Sequence, residues 1–249
     1  MSAFPLPKGW GRARLSDLAG SEGVFVDGDW VESKDQDPNG DVRLIQLADV
    51  GDGRYVNKSS RFLTSERAAH LRGTFLEPGD VLVARMPDPL GRACLFPGDP
   101  KPCVTVVDVC IIRNATGLVS HRWLMGAINS LEFRSAVAAE QSGSTRKRIS
   151  RSNLGALELP IPPSREQERI VAATEQHLSD IDAGVAGLKR VLVHLRRYRA
   201  AVLKAACEGR LVPTEAALAK KEKRDYEPAD VLLKRILQER RARWEAEQV

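Results

Sequence analysis

The sequence holds 249 residues, with 38 Lys and Arg against 33 Asp and Glu, a formal net charge of +5 and 43% hydrophobic residues. That length suits one good globular core plus something extended, or two small domains. No apolar run reaches the roughly 18 residues of a membrane helix, so no membrane span is expected, and a charge this modest permits a polyanionic partner without demanding one.

MSAFPLPKGW lacks the basic-then-apolar pattern of a signal peptide. Cys94, Cys103, Cys110 and Cys207 show no CxxC spacing. They are expected to be reduced thiols of a cytoplasmic protein, with Cys103 and Cys110 simply packing in the run CVTVVDVCIIR. The histidines stand apart from any Cys or carboxylate cluster, so neither a metal site nor a cofactor is expected.

Residues 1–163 read as a globular domain of mixed strands and short helices, within an α+β fold. Val42–Val50, Val81–Arg85 and Val104–Ile112 are β-branched runs bounded by Gly, Pro and Asp. Pro78-Gly79-Asp80 is a turn feeding the second of them. His121–Ala139 has helical spacing through Leu124, Ile128, Leu131 and Val137. SGSTRKRISRSNL, beginning at Ser142, reads as a polar loop.

The stretch LPIPPSREQERIV, from Leu159 to Val171, changes character in its middle. Pro160, Pro162 and Pro163 forbid helix and hold the chain extended. Ser164 and Gln167 then have the spacing of a capping box, and Glu166 and Glu168 suit the positive end of a helix. From there apolar or tolerant residues recur in alternating steps of three and four. The seam is Val171, Thr174, Leu178, Ile181, Val185, Leu188, Leu192, Leu195, Arg199, Val202 and Ala206. A helix over 164–208 would run roughly 67 Å at 1.5 Å per residue, with Gly209 as its stop.

Charge is unevenly placed along this coiled-coil-like helix. Glu166, Glu168, Glu175, Asp180 and Asp182 mark its first half, and Lys189, Arg190, Arg196, Arg197, Arg199 and Lys204 its second. Two copies packed antiparallel set acid against base, whereas parallel packing sets like against like. An antiparallel helix pair is therefore expected, most directly through Leu178, Ile181, Val185, Leu188, Leu192, Leu195 and Val202. Residues 209–249 form a tail. It opens with a polar stretch, TEAALAKKEKRDYEPAD, read as mobile. A short helix follows over about residues 228–245, with Leu232, Leu233, Ile236, Leu237 and Trp244 as its buried stripe.

No motif for a phosphate loop, a serine nucleophile elbow, a zinc protease or a dinucleotide fold occurs. The sequence does offer basic loops. Arg146, Lys147, Arg148 and Arg151 lie beside Ser144 and Thr145, small hydroxyl residues that let a backbone approach phosphate. Arg85 and Arg92 bracket a Pro-rich loop after a strand, and Arg54 and Tyr55 sit in GDGRYVNKSSR. Arginine can read guanine bidentately in a major groove.

LPKGW, PGDVLVARMPDPLGRACLF and above all SGSTRKRISRSNLGALELPIPPSREQERIV resemble the DNA-specificity subunit of type I restriction–modification systems. In that family a target-recognition domain ends in PP-x-x-EQ, here Pro162 to Gln167, and a long helix follows. EGRLVP (Glu208–Pro213) and EPADVLLKRI (Glu227–Ile236) resemble its conserved region too. The resemblance implies a non-catalytic subunit that binds double-stranded DNA and directs methylation and cleavage by partner subunits. Methylation subunits would embrace the helices, and a restriction subunit would join them. The family's usual subunit has two recognition domains and two helices, whereas this chain has one of each. It is thus expected to act as a homodimer, or to pair with another half subunit, and to read a bipartite gapped site. The alternative kept beside this one is a coiled-coil scaffold whose globular domain binds protein. An enzyme with an unrecognised site is a third reading.

Overall fold

The computed structural model describes residues 5–71, 73–87, 89–143 and 147–247. The chain divides into two compact units, Met1–His177 and Leu178–Val249. The first contains strands β1 (Gly11–Arg14), β2 (Val24–Asp27), β3 (Val42–Ile45), β4 (Phe62–Leu63), β5 (Val81–Ala84), β6 (Ala93–Leu95), β7 (Cys103–Thr105), β8 (Val109–Arg113) and β9 (Glu158–Ile161). Its helices are α1 (Ser65–Leu71), α2 (His121–Ile128), α3 (Leu131–Ala139), α4 (Arg151–Ala156) and the start of α5 (Ser164–Cys207). The mixed α/β class read from the sequence is thus the class observed.

A four-stranded antiparallel sheet in the order β2-β8-β5-β6 is the backbone of this unit. Its central strands are short unbroken apolar runs because both faces are covered. Val81, Val83, Cys110 and Ile112 face one core with Leu124, Ile128, Phe133 and Val137 of α2 and α3. Leu82, Ala84, Val109 and Ile111 face a second core with Ile45, Val50 and Phe96. This is the two-residue alternation of a strand, with apolar side chains pointing both ways. A second sheet, β4-β3-β7, pairs β3 with β7 in parallel. Cys94, Cys103 and Cys110 are buried free thiols. Burial pushes those of Cys94 and Cys103 up to about 12, which keeps them protonated.

Several boundaries differ from the sequence reading, each for a local reason. The run from Val104 to Ile112 is cut in two at Val106–Asp108, where the Val109 N–H bonds the Val106 carbonyl. The single helix expected over 121–139 breaks at Asn129–Ser130. The Asn129 amide pairs instead with both backbone groups of Ala93 (2.8 and 2.9 Å), and Ser130 caps a fresh helix through the Phe133 N–H. Part of the expected loop after Ser142 is helix, because Ser150 caps α4 by accepting from the Asn153 N–H.

The ends of the first unit's chain path meet. β1 and β9 pair antiparallel from Gly11↔Ile161 to Arg14↔Glu158. This brings Trp10 to the start of α5, where its indole Nε1–H donates to the Glu166 carboxylate at 3.1 Å. The expected capping box does not form. The Ser164 hydroxyl donates to the Leu118 carbonyl at 3.1 Å, and the Pro163 carbonyl opens α5 by accepting from the N–H groups of Glu166 and Gln167. Gln167 turns inward, 2% exposed. Its oxygen accepts from the Ser120 N–H (2.8 Å), and its amide donates to the Pro162 carbonyl (3.0 Å). Ile170 and Val171 add apolar contact to the first core. The first turns of α5 therefore belong to the globular unit, and the unit boundary falls beyond residue 163.

In the second unit α5 continues to Cys207. It ends as expected at Gly209, whose φ of +67° lets the Arg210 N–H return to the Ala205 carbonyl. The stretch read as mobile contains α6 (Glu215–Glu222), capped by Thr214 accepting from the Ala217 N–H. Helix α7 (Ala229–Glu247) closes the described chain.

Gly28 offers a stability test of the sheet edge. A Cβ there would lie 2.1 Å from the Thr105 backbone oxygen, which no side-chain rotation relieves. Gly28→Ala is expected to cost about 3 kcal/mol, read as a lower urea midpoint at unchanged slope.

Candidate nucleic-acid interface

The basic residues singled out in the sequence divide into two kinds. Arg85, directly after β5, is 8% exposed. Its guanidinium donates to the carbonyls of Ile149 (2.9 Å) and Val107 (2.6 Å) and ion-pairs with Asp27 at 2.9 Å. Arg92, directly before β6, is 7% exposed and donates to the carbonyls of Val50, Leu47 (2.7 Å) and Pro89 (3.0 Å). Both side chains have fewer than one-tenth of their surface in water, and they engage the protein's own carbonyls and, for Arg85, Asp27. Tyr55 is also turned inward. Its ring packs edge-on against Phe96 at 5.7 Å, its hydroxyl is buried, and burial pushes its phenol upward.

The second kind lies on the loops that those buried arginines hold. Arg85 fixes Ile149 through its side chain and also through its carbonyl, which accepts the Ile149 N–H. Ile149 is wholly buried, while its neighbours Lys147, Arg148 and Arg151 are exposed. A backbone pairing of Ser142 with Arg148 closes the base of this loop. Ser144, Thr145 and Arg146 lie outside the described residues. Arg92 holds the chain at Leu47 and Val50, just before the turn Gly51–Tyr55 that exposes Arg54. The same turn is tied to β6 by the Gly53 N–H on the Ala93 carbonyl. Because the Arg92 carbonyl accepts the Ala84 N–H, both loops are anchored to one end of the β5–β6 hairpin.

Two clefts open beside these anchors. One, of about 590 Å³, has Arg14 and Arg151 on its walls with Asp27, Phe25 and Ser152. Burial raises the Asp27 carboxyl above the usual range, although the charges of Arg85 and Arg151 pull it down. The other, of about 390 Å³, is lined by Trp30, Gln46 and Asp108, and Trp30 is 71% exposed. Sequence reasoning missed Arg14 and Trp30. A lone arginine in a strand and a lone tryptophan in an irregular segment carry no local signal, and only the fold sets Arg14 across a cleft from Arg151 and Trp30 beside Gln46 and Asp108.

The seam residues are placed differently again. Leu178, Ile181, Val185, Leu188, Leu192 and Leu195 are 43–68% exposed, and Val202 is half-buried. Leu232, Leu233, Ile236, Leu237 and Trp244 on α7 are exposed too, so the stripe expected to be buried is uncovered within this chain. Among the described residues no group of side chains could hold a metal ion, and no helix is long and apolar enough to cross a membrane.

No family model matches the chain. A curated relative, the EcoBI type I restriction enzyme specificity subunit of Escherichia coli, is 35% identical over 111 residues, which is 45% of this chain and 23% of that subunit. The HsdS subunit from Thermoanaerobacter tengcongensis superposes with a TM-score of 0.56 at 24% identity, over 85% of this chain and 48% of that one. The fold is shared with that HsdS subunit. A chain from a structure of complex assembly in the type I R-M system agrees, with a TM-score of 0.62 at 23% identity over 82% of this chain and 47% of its own. The present chain spans about half the length of these solved chains, and under a quarter of the E. coli subunit is matched. The likeness to the solved chains is one of fold.

The buried arginines can be tested by stability. Arg85→Ala leaves Asp27 without its partner and frees the Ile149 carbonyl, and is expected to cost on the order of 3 kcal/mol. Arg148→Ala should stay within about 0.5 kcal/mol of the parent. Because Asp27 holds its proton more tightly folded than unfolded, it favours the folded state as pH falls and disfavours it as pH rises through the raised pKa. Loss of Arg85 pushes that carboxyl higher still. The cost of Arg85→Ala, measured by urea unfolding, should therefore shrink as pH falls toward the range where Asp27 is protonated.

Proposed function

We propose that this chain is a sequence-specific DNA-binding specificity subunit of a type I restriction–modification enzyme, itself non-catalytic and cytoplasmic, which directs methylation and cleavage by partner subunits. The observation that carries the reading is the 35% identity to a type I specificity subunit, supported by the fold of two solved relatives. The target-recognition surface is the end of the first unit that carries Arg54, Lys147, Arg148 and Arg151, extended by Arg14 and Trp30. Lys and Arg side chains there neutralise phosphate, while Trp30 supplies a stacking or wedge surface beside the polar Gln46.

Helix α5 pairs with a second α5 in antiparallel register. Its exposed leucines and its acidic-then-basic charge order support that arrangement. Two copies, or this chain and another half subunit, then present two recognition surfaces to a bipartite gapped site. Methylation subunits dock on the paired helices, and a restriction subunit joins the assembly. A protein-binding scaffold would share the exposed seam, but its binding would show no dependence on duplex DNA or on salt.

Two measurements test this. Sedimentation of the purified chain across concentrations should give a dimer, which Leu188→Asp converts to monomer while the first unit stays folded. Lys147→Ala, Arg148→Ala and Arg151→Ala combined should weaken duplex binding. Each phosphate that is no longer neutralised should make the negative slope of log affinity against log salt shallower by about 0.9. Unchanged affinity and slope would remove this loop from the interface.

A further inference from the structure

The turn that exposes Arg54 is framed more firmly than a surface loop requires, by the buried charges of Arg43, Asp49 and Arg92. On the limb that enters the turn, Arg92 donates to the carbonyls of Leu47 (2.7 Å) and Val50. On the limb that leaves it, the wholly buried Asp49 accepts from the N–H groups of Lys58 and Ser59, each at 2.7 Å. Arg43 donates to the Ser59 carbonyl at 2.8 Å and to the Asn57 side chain, and pairs with Asp99 at 2.6 Å. Between the limbs Val50 and Tyr55 pair antiparallel, and the Gly51 N–H donates to the Arg54 carbonyl at 3.0 Å. Gly53, with a φ of +71°, makes the reversal, and Asp52 is turned to Arg134 of α3 at 3.1 Å. Burying charge is costly even when it is paired, and an apolar root could hold two limbs together without it. Hydrogen bonds are directional where apolar contact is not, so these charges fix one backbone geometry at the tip.

We propose that Arg54 is a specificity-determining residue that reads a guanine by its major-groove edge, while the exposed cations of 147–151 hold phosphate. This rests on the DNA-recognition reading above and assigns separate tasks within that surface. The Arg54 side chain is exposed, and among the described residues its guanidinium has no partner. Its planar fork is therefore free for the N7 and O6 acceptors of guanine. The turn has the shape for it, since the major groove admits a two-stranded β-ribbon. Charge separates the two elements as well. Asp52 lies beside Arg54 and leaves the tip without the excess cation that gathers phosphate, whereas Lys147, Arg148 and Arg151 have no acid among them. Framing points the same way. A side chain that distinguishes one base from another needs a root held in place, whereas contacts to phosphate carry no sequence information.

The test uses the full chain. Duplexes are selected from a randomised pool with the parent protein, and each position of the selected half-site is then replaced in turn by the other bases. The parent is expected to prefer guanine at one position by roughly tenfold or more. Arg54→Lys keeps the charge and loses the planar fork. It should reduce that one preference to less than about threefold, with the other positions and the salt slope unchanged. Lys147→Ala, Arg148→Ala and Arg151→Ala combined should weaken all duplexes alike and keep the guanine preference. A guanine preference that survives in Arg54→Lys overturns the inference. So does a loss of preference at every position at once, since that is the signature of a merely structural role. An Arg54→Ala variant that weakens every duplex equally and makes the salt slope shallower also overturns it, since that marks a phosphate contact. A selected site without a guanine-dependent position overturns the inference but leaves DNA recognition standing. A parent that selects no duplex at all overturns the proposed function as well.

Discussion

A single buried carboxamide locks the first turn of α5 onto the globular unit. The Gln167 N–H bonds the Pro163 carbonyl in the first turn of α5, and its side chain is already inside the globular unit. Leaving either end of a buried amide unpaired costs about 1–3 kcal/mol, so the geometry at Ser120 and Pro162 is strongly held. The first turns of α5, as far as His177, are thereby fixed in the globular unit. Everything upstream closes on the same place, because β1 and β9 bring Trp10 to Glu166.

The buried arginines follow a similar logic at the end of the β5–β6 hairpin. A guanidinium offers five donors in a rigid plane, and a loop crossing a protein interior leaves several carbonyls that need donors. Arg85 and Arg92 satisfy those carbonyls at Ile149, Val107, Leu47 and Val50. The exposed basic residues then ride on loops whose roots are fixed, which is what a surface must have if it is to read a rigid duplex. Preorganisation lowers the ordering cost that binding would otherwise carry. The acid beside them, Asp27, has its carboxyl raised by the same burial that makes Arg85 indispensable to it.

The second unit is built on the opposite principle. Its apolar side chains repeat along α5 and α7 but find no cover within the chain, and Ala219 is its one buried apolar residue among those described. Long helices with a continuous exposed stripe draw their stability from partners rather than from propensity alone. Gly184 and Gly187 fit that role, since a Cβ at Gly184 would meet nothing within 4 Å and one at Gly187 only the movable Arg190 guanidinium at 3.9 Å.

The local features were legible in the amino-acid order alone. Pro162 and Pro163 follow directly on strand β9, the three-and-four repeat runs on to Cys207 and Gly209 ends it, because each of these signals acts within a few residues. The mixed fold, the buried strands and the basic loop at 147–151 were legible for the same reason. Which arginines face water was settled only by folding. Arg85 and Arg92 look no different from Arg54 or Arg148 in sequence, and their burial depends on carbonyls contributed from as far away as Ile149 and Leu47. Folding also settled the role of Gln167. The spacing Ser-x-x-Gln names a capping box, but the Pro163 carbonyl already serves the first helical N–H groups, and the Ser120 N–H offers the glutamine a better-buried partner. Local pattern fixes where elements start and stop, whereas the destination of a polar side chain depends on unpaired groups that only the folded chain brings within reach.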